Sequence, residues 1–238
     1  MPERIQKLIA ESGLMSRRAA EKLIAEDRVT VNGRTAIIGE KADPTCDAVM
    51  VDGKPLNTLV EKTYVMLNKP KGYVTTMSDE KGRKNVSMLV EDTGMRLYPV
   101  GRLDLNSEGL LIMTNDGDFA NRMMHPSNNV LKTYEVRVTG EDITAAVGIM
   151  RGTINIDGTA VKAKEVKLAA SSGRNATIIV TIGEGKNREV RKLCSFAGLK
   201  VNDLKRIREG NLELGDLKTG RWRFLTQEEI DSVCREDT

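Results

Sequence analysis

The chain has 238 residues, 39% of them hydrophobic, enough for one large domain or two ordinary ones with cores that need no disulfide staples. Lys plus Arg number 37 against 34 Asp plus Glu, a net charge of +3 that excludes an acidic disordered tail or a histone-like polycation. Nucleic acid stays open as a partner if the positive charge is clustered.

Three Phe, four Tyr and one Trp are too few for a single-strand binder that stacks many bases. Cys46, Cys194 and Cys234 are scattered and never form C-x-x-C, which argues against a disulfide framework or a zinc ribbon and fits a reducing cytoplasm. His125, the single histidine, is expected to be structural or exposed. The charged start MPERIQKLIAESG and the lack of eighteen consecutive apolar residues predict a cytoplasmic protein with no membrane partner.

In chain order, Ile5, Leu8 and Ile9 recur at helical spacing and Gly13 stands at a C-cap. Ser16 then caps a second helix, Arg17 to Glu26, with Ala19, Ala20, Leu23 and Ile24 facing inward. VTV, Asn32-Gly33 and RTAII read as a hairpin with a type I′ turn, and VMVDG closes a unit of residues 1–60. Pro55 to Lys62 reads as a linker. Residues 61–238 then mix strands, at Thr63–Gly72, Leu110–Met113, Thr133–Val138, Thr153–Ile156, Val161–Leu168, Thr177–Ile182 and Leu204–Arg208, with helices at Asp118–Met124, Ile143–Met150, Arg188–Phe196 and Gln227–Val233. Asp157-Gly158 is a second hairpin turn. Strands that meander without strict helix alternation predict an α+β fold on a mixed, mainly antiparallel sheet.

Charge is uneven along these pieces. Residues 1–60 hold nine basic and nine acidic side chains, with Arg17, Arg18 and Lys22 clustered at the second helix; residues 186–223 hold 11 basic against five acidic. RNA is therefore expected along 186–223 and at the Arg17/Arg18 corner.

Two motifs carry chemistry. In VGRLDLNSEGLLIMTNDGD, Val100 to Asp118, a glycine-led turn presents Asp104 at the mouth of a buried strand. NDGD lacks the spacing and terminal Glu of an EF-hand, so calcium is not expected. In GEGKNREVRKLCSFAG, Gly183 to Gly198, glycines precede a helix whose start, with Lys186, Arg188, Arg191 and Lys192, makes an anion site. Its spacing is not that of a P-loop. On composition alone Asp104 reads equally as an exposed loop acid, and the basic helix as a solvated face.

VGRLDLNSEGLL, KTYEVRV (Lys132 to Val138) and EGKNREVRKL (Glu184 to Leu193) together closely resemble the sequence blocks of the RsuA/RluB-type ribosomal RNA pseudouridine synthases. Residues 1–60 are similar to an S4 RNA-binding domain, and LNKPKGYVTT (Leu67 to Thr76) to the strand that opens the family's catalytic domain. The resemblance runs to about Phe224. It departs at Ser107, Lys186 and Glu189, where Thr, Arg and Gln are common.

The resemblance implies isomerisation of a specific uridine in ribosomal RNA to pseudouridine, with no metal, nucleotide or redox cofactor. It implies Asp104 as the catalytic aspartate, attacking C1′ or removing a C2′ proton, Arg191 as its basic partner, and Tyr134 beside the base. Arg17, Arg18, Lys22, Arg102, Lys186, Arg188 and Lys192 are implied phosphate contacts. RLYPVGRLD and NRMMHPSNNVLKTYEV look closer to the RluB type, acting on large-subunit 23S RNA, than to the small-subunit 16S type. The expected partner is ribosomal RNA or a ribosome-assembly intermediate, met by a monomer. The alternative from another class is a non-catalytic S4-domain assembly factor; an S4-bearing aminoacyl-tRNA synthetase fails for want of HIGH-like and KMSKS-like motifs.

Overall fold

A computed structural model describes residues 1–57, 60–156, 158–183, 185 and 188–233. The chain divides into two units, one of Met1–Thr63 with Gly94–Arg96 and Asn115–Gly117, the other of Tyr64–Thr93, Leu97–Thr114 and Asp118–Thr238.

In the first unit, Glu3–Arg4 pairs with Lys41–Ala42 and leads into helix α1, Ile5–Glu11, which buries Ile5, Leu8 and Ile9. Gly13, at φ +79°, ends the helical course in a backbone region that other residues enter at a cost. The Ser16 hydroxyl then accepts the Ala19 amide at 3.2 Å and starts α2, Arg17–Ala25. Ala20 and Ile24 turn inward with Leu23 half-buried, whereas Ala19, expected on the inner face, is exposed one position round the helix from that stripe. Strands β1 (Val29–Val31), β2 (Arg34–Thr35), β3 (Val49–Val51) and β4 (Lys54–Pro55) form an antiparallel sheet in the order β2-β1-β3-β4. Asn32 and Gly33, both at positive φ, make the expected I′ turn. Pro55, read as the start of a linker, closes β4 instead, and Ile37 and Ile38 lie exposed beyond a shortened β2.

The second unit is built on a nine-stranded sheet. Its main strands are β5 (Tyr64–Lys69), β6 (Glu108–Thr114), β7 (Lys132–Thr139), β8 (Glu165–Ser172), β9 (Asn175–Ile182), β10 (Lys200–Glu209) and β11 (Trp222–Phe224), ordered β8-β9-β7-β10-β6-β5-β11. Two short strands, Tyr98–Pro99 and Leu212–Glu213, pair with β6 and β10. Every labelled neighbour in this order is antiparallel except β10 and β6, which meet in parallel at Lys205↔Glu108 and Arg206↔Gly109. The mixed, mainly antiparallel sheet expected of an α+β fold is present.

Strand patterning follows burial. Val65, Leu67, Leu111 and Met113 enter one core, while Met66, Leu110 and Ile112 enter the core on the other face, so β5 and β6 are covered on both sides and read as continuous apolar runs. Strand β7 alternates because Tyr134, Val136 and Val138 are buried and Glu135 and Arg137 face solvent. Helices α4 (Ile143–Met150) and α5 (Glu189–Phe196) cover the Tyr134 face, and α3 (Gly117–Met124) covers the other. Short α6, Gln227–Ser232, starts at a capping box between Thr226 and Glu229.

Two segments differ from expectation. Val161–Leu168 is broken, because Thr159–Val161 pairs with Ile154–Ile156 while β8 begins at Glu165 against β9. The expected Asp157-Gly158 turn falls between those short strands in sequence, and Asp157 lies outside the described residues. The basic stretch 186–223 does not form one surface. Arg206 is buried, Arg191 turns inward from helix α5, Arg208 bonds the Gly210 carbonyl and Arg223 pairs with Glu229, so these charges are spent on separate partners.

Candidate active site

Asp104 sits in the turn that precedes β6, and that turn is fixed by its backbone. The Thr75 hydroxyl donates to the Leu103 carbonyl at 2.7 Å and accepts the Leu103 amide at 3.3 Å. The Gly72 amide reaches the Leu105 carbonyl at 2.8 Å. Lys69, fully buried, spends its ammonium on the carbonyls of Pro70, Asp104 and Ser107 at 3.0, 3.1 and 2.9 Å. From the other side Arg191 donates to the Asn106 carbonyl at 3.0 Å and the Ser107 hydroxyl at 3.3 Å. A loop with its carbonyls held by three separate segments presents one side chain in one direction, as chemistry on a fixed substrate requires.

The Asp104 carboxylate is left open, with 36% of its side chain exposed. It faces two guanidinium groups, Arg191 Nε and Arg188 Nη1, each 3.7 Å from its Oδ2. Arg191 is mostly buried, and burial, followed by nearby Arg188, lowers its pKa while Asp104 raises it. Its Nε lacks an aligned hydrogen-bond partner among the described residues, so it is spare to follow the carboxylate. Arg188 caps α5 from the left-handed region at φ +54°. Lys69 is pushed down to about 8 by burial, with Asp104 and Glu108 opposing the shift.

Asp104 and Arg188 border a cavity of about 530 Å³, whose lining also includes Arg102, Tyr134, Ile182 and Leu204. Tyr134 is 7% exposed and its pKa is raised, chiefly by burial. The volume suits a single nucleoside rather than a duplex. A carboxylate with cations behind it, an aromatic ring on the wall and further arginines at the rim can hold an extruded base and act on its sugar. A larger cavity, about 840 Å³, opens on the other sheet face beside Thr133, Thr181 and Arg208, away from Asp104.

The structure therefore brings Asp104, Tyr134, Arg102 and Arg188 into the lining of one cavity, with Arg191 outside that lining and 3.7 Å from Asp104. Lys192, on the same helix, does not line it, and Lys186 lies outside the described residues. Arg17, Arg18 and Lys22 are exposed on α2 of the first unit, Lys22 at 3.7 Å from Glu26. His125 is exposed, its ring accepting the Ser127 amide. Asp116 of the NDGD stretch is taken up by Lys62 at 3.1 Å. Reading the sequence missed Lys69 and Thr75. A lysine closing the apolar run VMLN was the available signal, since a cation there must find acceptors or leave the core.

Comparison with known proteins places the chain in a family. The RNA pseudouridylate synthase family matches residues 63–196, and the S4 domain matches residues 3–40. An uncharacterized RNA pseudouridine synthase of Aquifex aeolicus is 41% identical over 237 residues, covering 99% of this chain and 95% of that protein. The ribosomal large subunit pseudouridine synthase B of Bacillus subtilis is 39% identical over 231 residues, covering 96% and 94%. A crystal structure of a pseudouridylate synthase superposes with a TM-score of 0.65 at 28% identity, covering 97% of this chain and 99% of its own. The fold is thus that of a uridine-isomerising enzyme with an RNA-binding module. The chain belongs to the RNA pseudouridine synthase family and carries an S4 domain at its start. Family membership sets aside the non-catalytic assembly factor. Among the described residues, no helix is long and apolar enough to cross a membrane.

Proposed function

We propose that this enzyme converts a specific uridine of large-subunit ribosomal RNA to pseudouridine, with Asp104 as the reacting carboxylate. The carrying observation is Asp104 itself, half-open to a nucleoside-sized cavity and 3.7 Å from both Arg188 and Arg191. Relatives from Bacillus subtilis, Haemophilus influenzae and Pasteurella multocida, each 39% identical, bear the name ribosomal large subunit pseudouridine synthase B, which supports large-subunit RNA over small.

The reaction balances within uridine. The N1–C1′ bond breaks with its electron pair going to the uracil ring, the ring turns, C5 bonds to C1′, the C5 proton leaves and N1 gains one. Asp104 serves as nucleophile at C1′ or as base at C2′. Arg191, 3.7 Å away, offsets part of the cost of taking the carboxylate's charge out of water. Tyr134 packs on the uracil, and its phenol assists loss of the C5 proton. Extruding the uridine costs a few kcal/mol, offset by phosphate contacts from Arg102 and Arg188 at the cavity and Lys192 beyond it, with Lys186 assigned the same role.

Residues 1–60, through Arg17, Arg18 and Lys22, hold the RNA, and residues 61–238 carry out the isomerisation. Because one chain supplies every residue assigned to the reaction, it acts as a monomer, on ribosomal RNA or its assembly intermediates in the cytoplasm.

Carbodiimide mapping of ribosomal RNA treated with wild type or Asp104→Asn tests this. One new pseudouridine in large-subunit RNA is expected with wild type and none with the variant. Modification confined to small-subunit RNA would overturn the substrate; modification by Asp104→Asn would overturn the assignment of the carboxylate.

A further inference from the structure

Arg206 and Glu209 lie three apart on β10, and in a regular strand they would project from opposite faces. The ladder with β7 slips between them. Thr133 faces Arg208 but Tyr134 faces Arg206, which leaves Ile207 as an extra residue. This bulge turns both Arg206 and Glu209 onto the Tyr134 face, where they meet at 3.1 Å with 3% of each side chain exposed. Arg206 Nε also donates to the Leu110 carbonyl of β6 at 2.7 Å, just past the point where the parallel pairing of β10 and β6 stops at Gly109. The residue that stands opposite Tyr134 on the ladder is therefore also the one whose guanidinium holds the strand that begins at the Asp104 turn.

A buried ion pair is a poor device for stability, since well-packed apolar residues commonly do as well or better. This one is imperfect even as a pair. Neither Arg206 Nη2 nor Glu209 Oε2 has an aligned hydrogen-bond partner among the described residues. A bulge that aims a charged pair at the cavity's one tyrosine is better explained by what it does to that tyrosine.

We propose that Arg206, with its charge balanced by Glu209, is a positioning residue for the reaction, holding the Tyr134 phenol in register with the Asp104 carboxylate. Arg206 does not line the cavity, so it acts through Tyr134 and touches no substrate. In keeping with this, Arg206 favours the charged form of the phenol against the burial that disfavours it. The inference rests on the roles proposed above for Asp104 and Tyr134.

The test is a double-mutant cycle read by release of tritium from RNA labelled at uridine C5, with kcat and KM separated. Arg206→Met is expected to lower kcat about ten- to a hundredfold, the scale of a misplacement of about 1 Å, with KM held within about twofold. Arg206→Met combined with Tyr134→Phe is expected to be no slower than Tyr134→Phe alone, and Arg206→Lys to recover part of the loss. Because Arg206→Met strands a buried carboxylate, Arg206→Met with Glu209→Met is measured beside it; this apolar pair is expected to fold and still to show the kcat loss. Wild-type kcat in the apolar pair, losses that multiply in the cycle, or a loss confined to KM would each overturn the proposal. An Asp104→Asn arm separates the two levels: activity surviving there brings down the underlying assignment, whereas its loss together with multiplying Arg206 effects sinks the positioning role alone.

Discussion

Lys69→Met keeps the volume of a fully buried side chain and removes the donors that hold three carbonyls around Asp104. Hydrogen bonds from a charged donor contribute about 1.5–3 kcal/mol each, but burying the ammonium costs several kcal/mol, so the net loss is placed at about 2 kcal/mol. For a chain of this size that lowers the melting temperature by about 4–8 °C. The larger consequence is local. A carboxylate displaced by about 1 Å reduces kcat about a hundredfold, while RNA affinity, which Lys69 does not touch, stays within about threefold.

Proton linkage gives a second reading of the same residue. Its folded pKa, about 8, lies below the ordinary 10.5, so between those values the unfolded chain binds more protons and this group's contribution to stability rises with pH. The neutral amine, however, has two N–H donors for three carbonyls. Stability and activity should therefore diverge above pH 8, with kcat falling as the turn loosens. Calorimetry and tritium-release kinetics across pH 6–10 read both quantities. An alkaline fall in kcat that persists unchanged in Lys69→Met, or wild-type kcat and melting temperature in that variant, would refute this account of the loop.

Two further outcomes follow from backbone and surface. Gly109→Ala would set a Cβ 2.2 Å from the Arg206 carbonyl at φ +106°, whereas at Gly101, φ +75°, nothing lies within 4 Å; urea unfolding should show a loss of about 2–4 kcal/mol at 109 and about 1 at 101, and equal losses would remove the close approach as the cause. Replacing Arg17 and Arg18 together by Ala should reduce the slope of log affinity against log salt for RNA by about 1–2, and an unchanged slope would take α2 off the binding surface.

Sequence made the elements legible wherever one rule decided them. Ser16 marks its helix because a hydroxyl there has an amide to accept, and Asn32-Gly33 marks its turn because few residue pairs tolerate two positive φ angles. The run LLIM read as a buried strand because both of its faces are covered. What remained hidden depends on partners far along the chain. Nothing near Lys69 reveals that its acceptors lie at 104 and 107, and nothing near Arg206 reveals the Ile207 bulge, since a bulge is a property of two strands in register. The basic stretch 186–223 misled for the same reason: charge counted along the chain ignores the partner each side chain meets once helix, strand and loop are folded. At the site, the cavity joins Asp104 and Tyr134, and Arg191 stands beside Asp104, while their roles came from resemblance rather than from spacing.

The parallel meeting of β10 and β6 is only two residue pairs long, and it divides the sheet into two antiparallel blocks. Asp104 enters from the block of β6, β5 and β11, whereas Tyr134 and Arg191 belong to the block of β7 to β10. The spacing between carboxylate and tyrosine is therefore a dihedral quantity, set by how one block is tilted on the other at a narrow fulcrum. Substitutions that alter twist at the outer strands are therefore expected to change kcat by this lever without changing a residue assigned to the substrate.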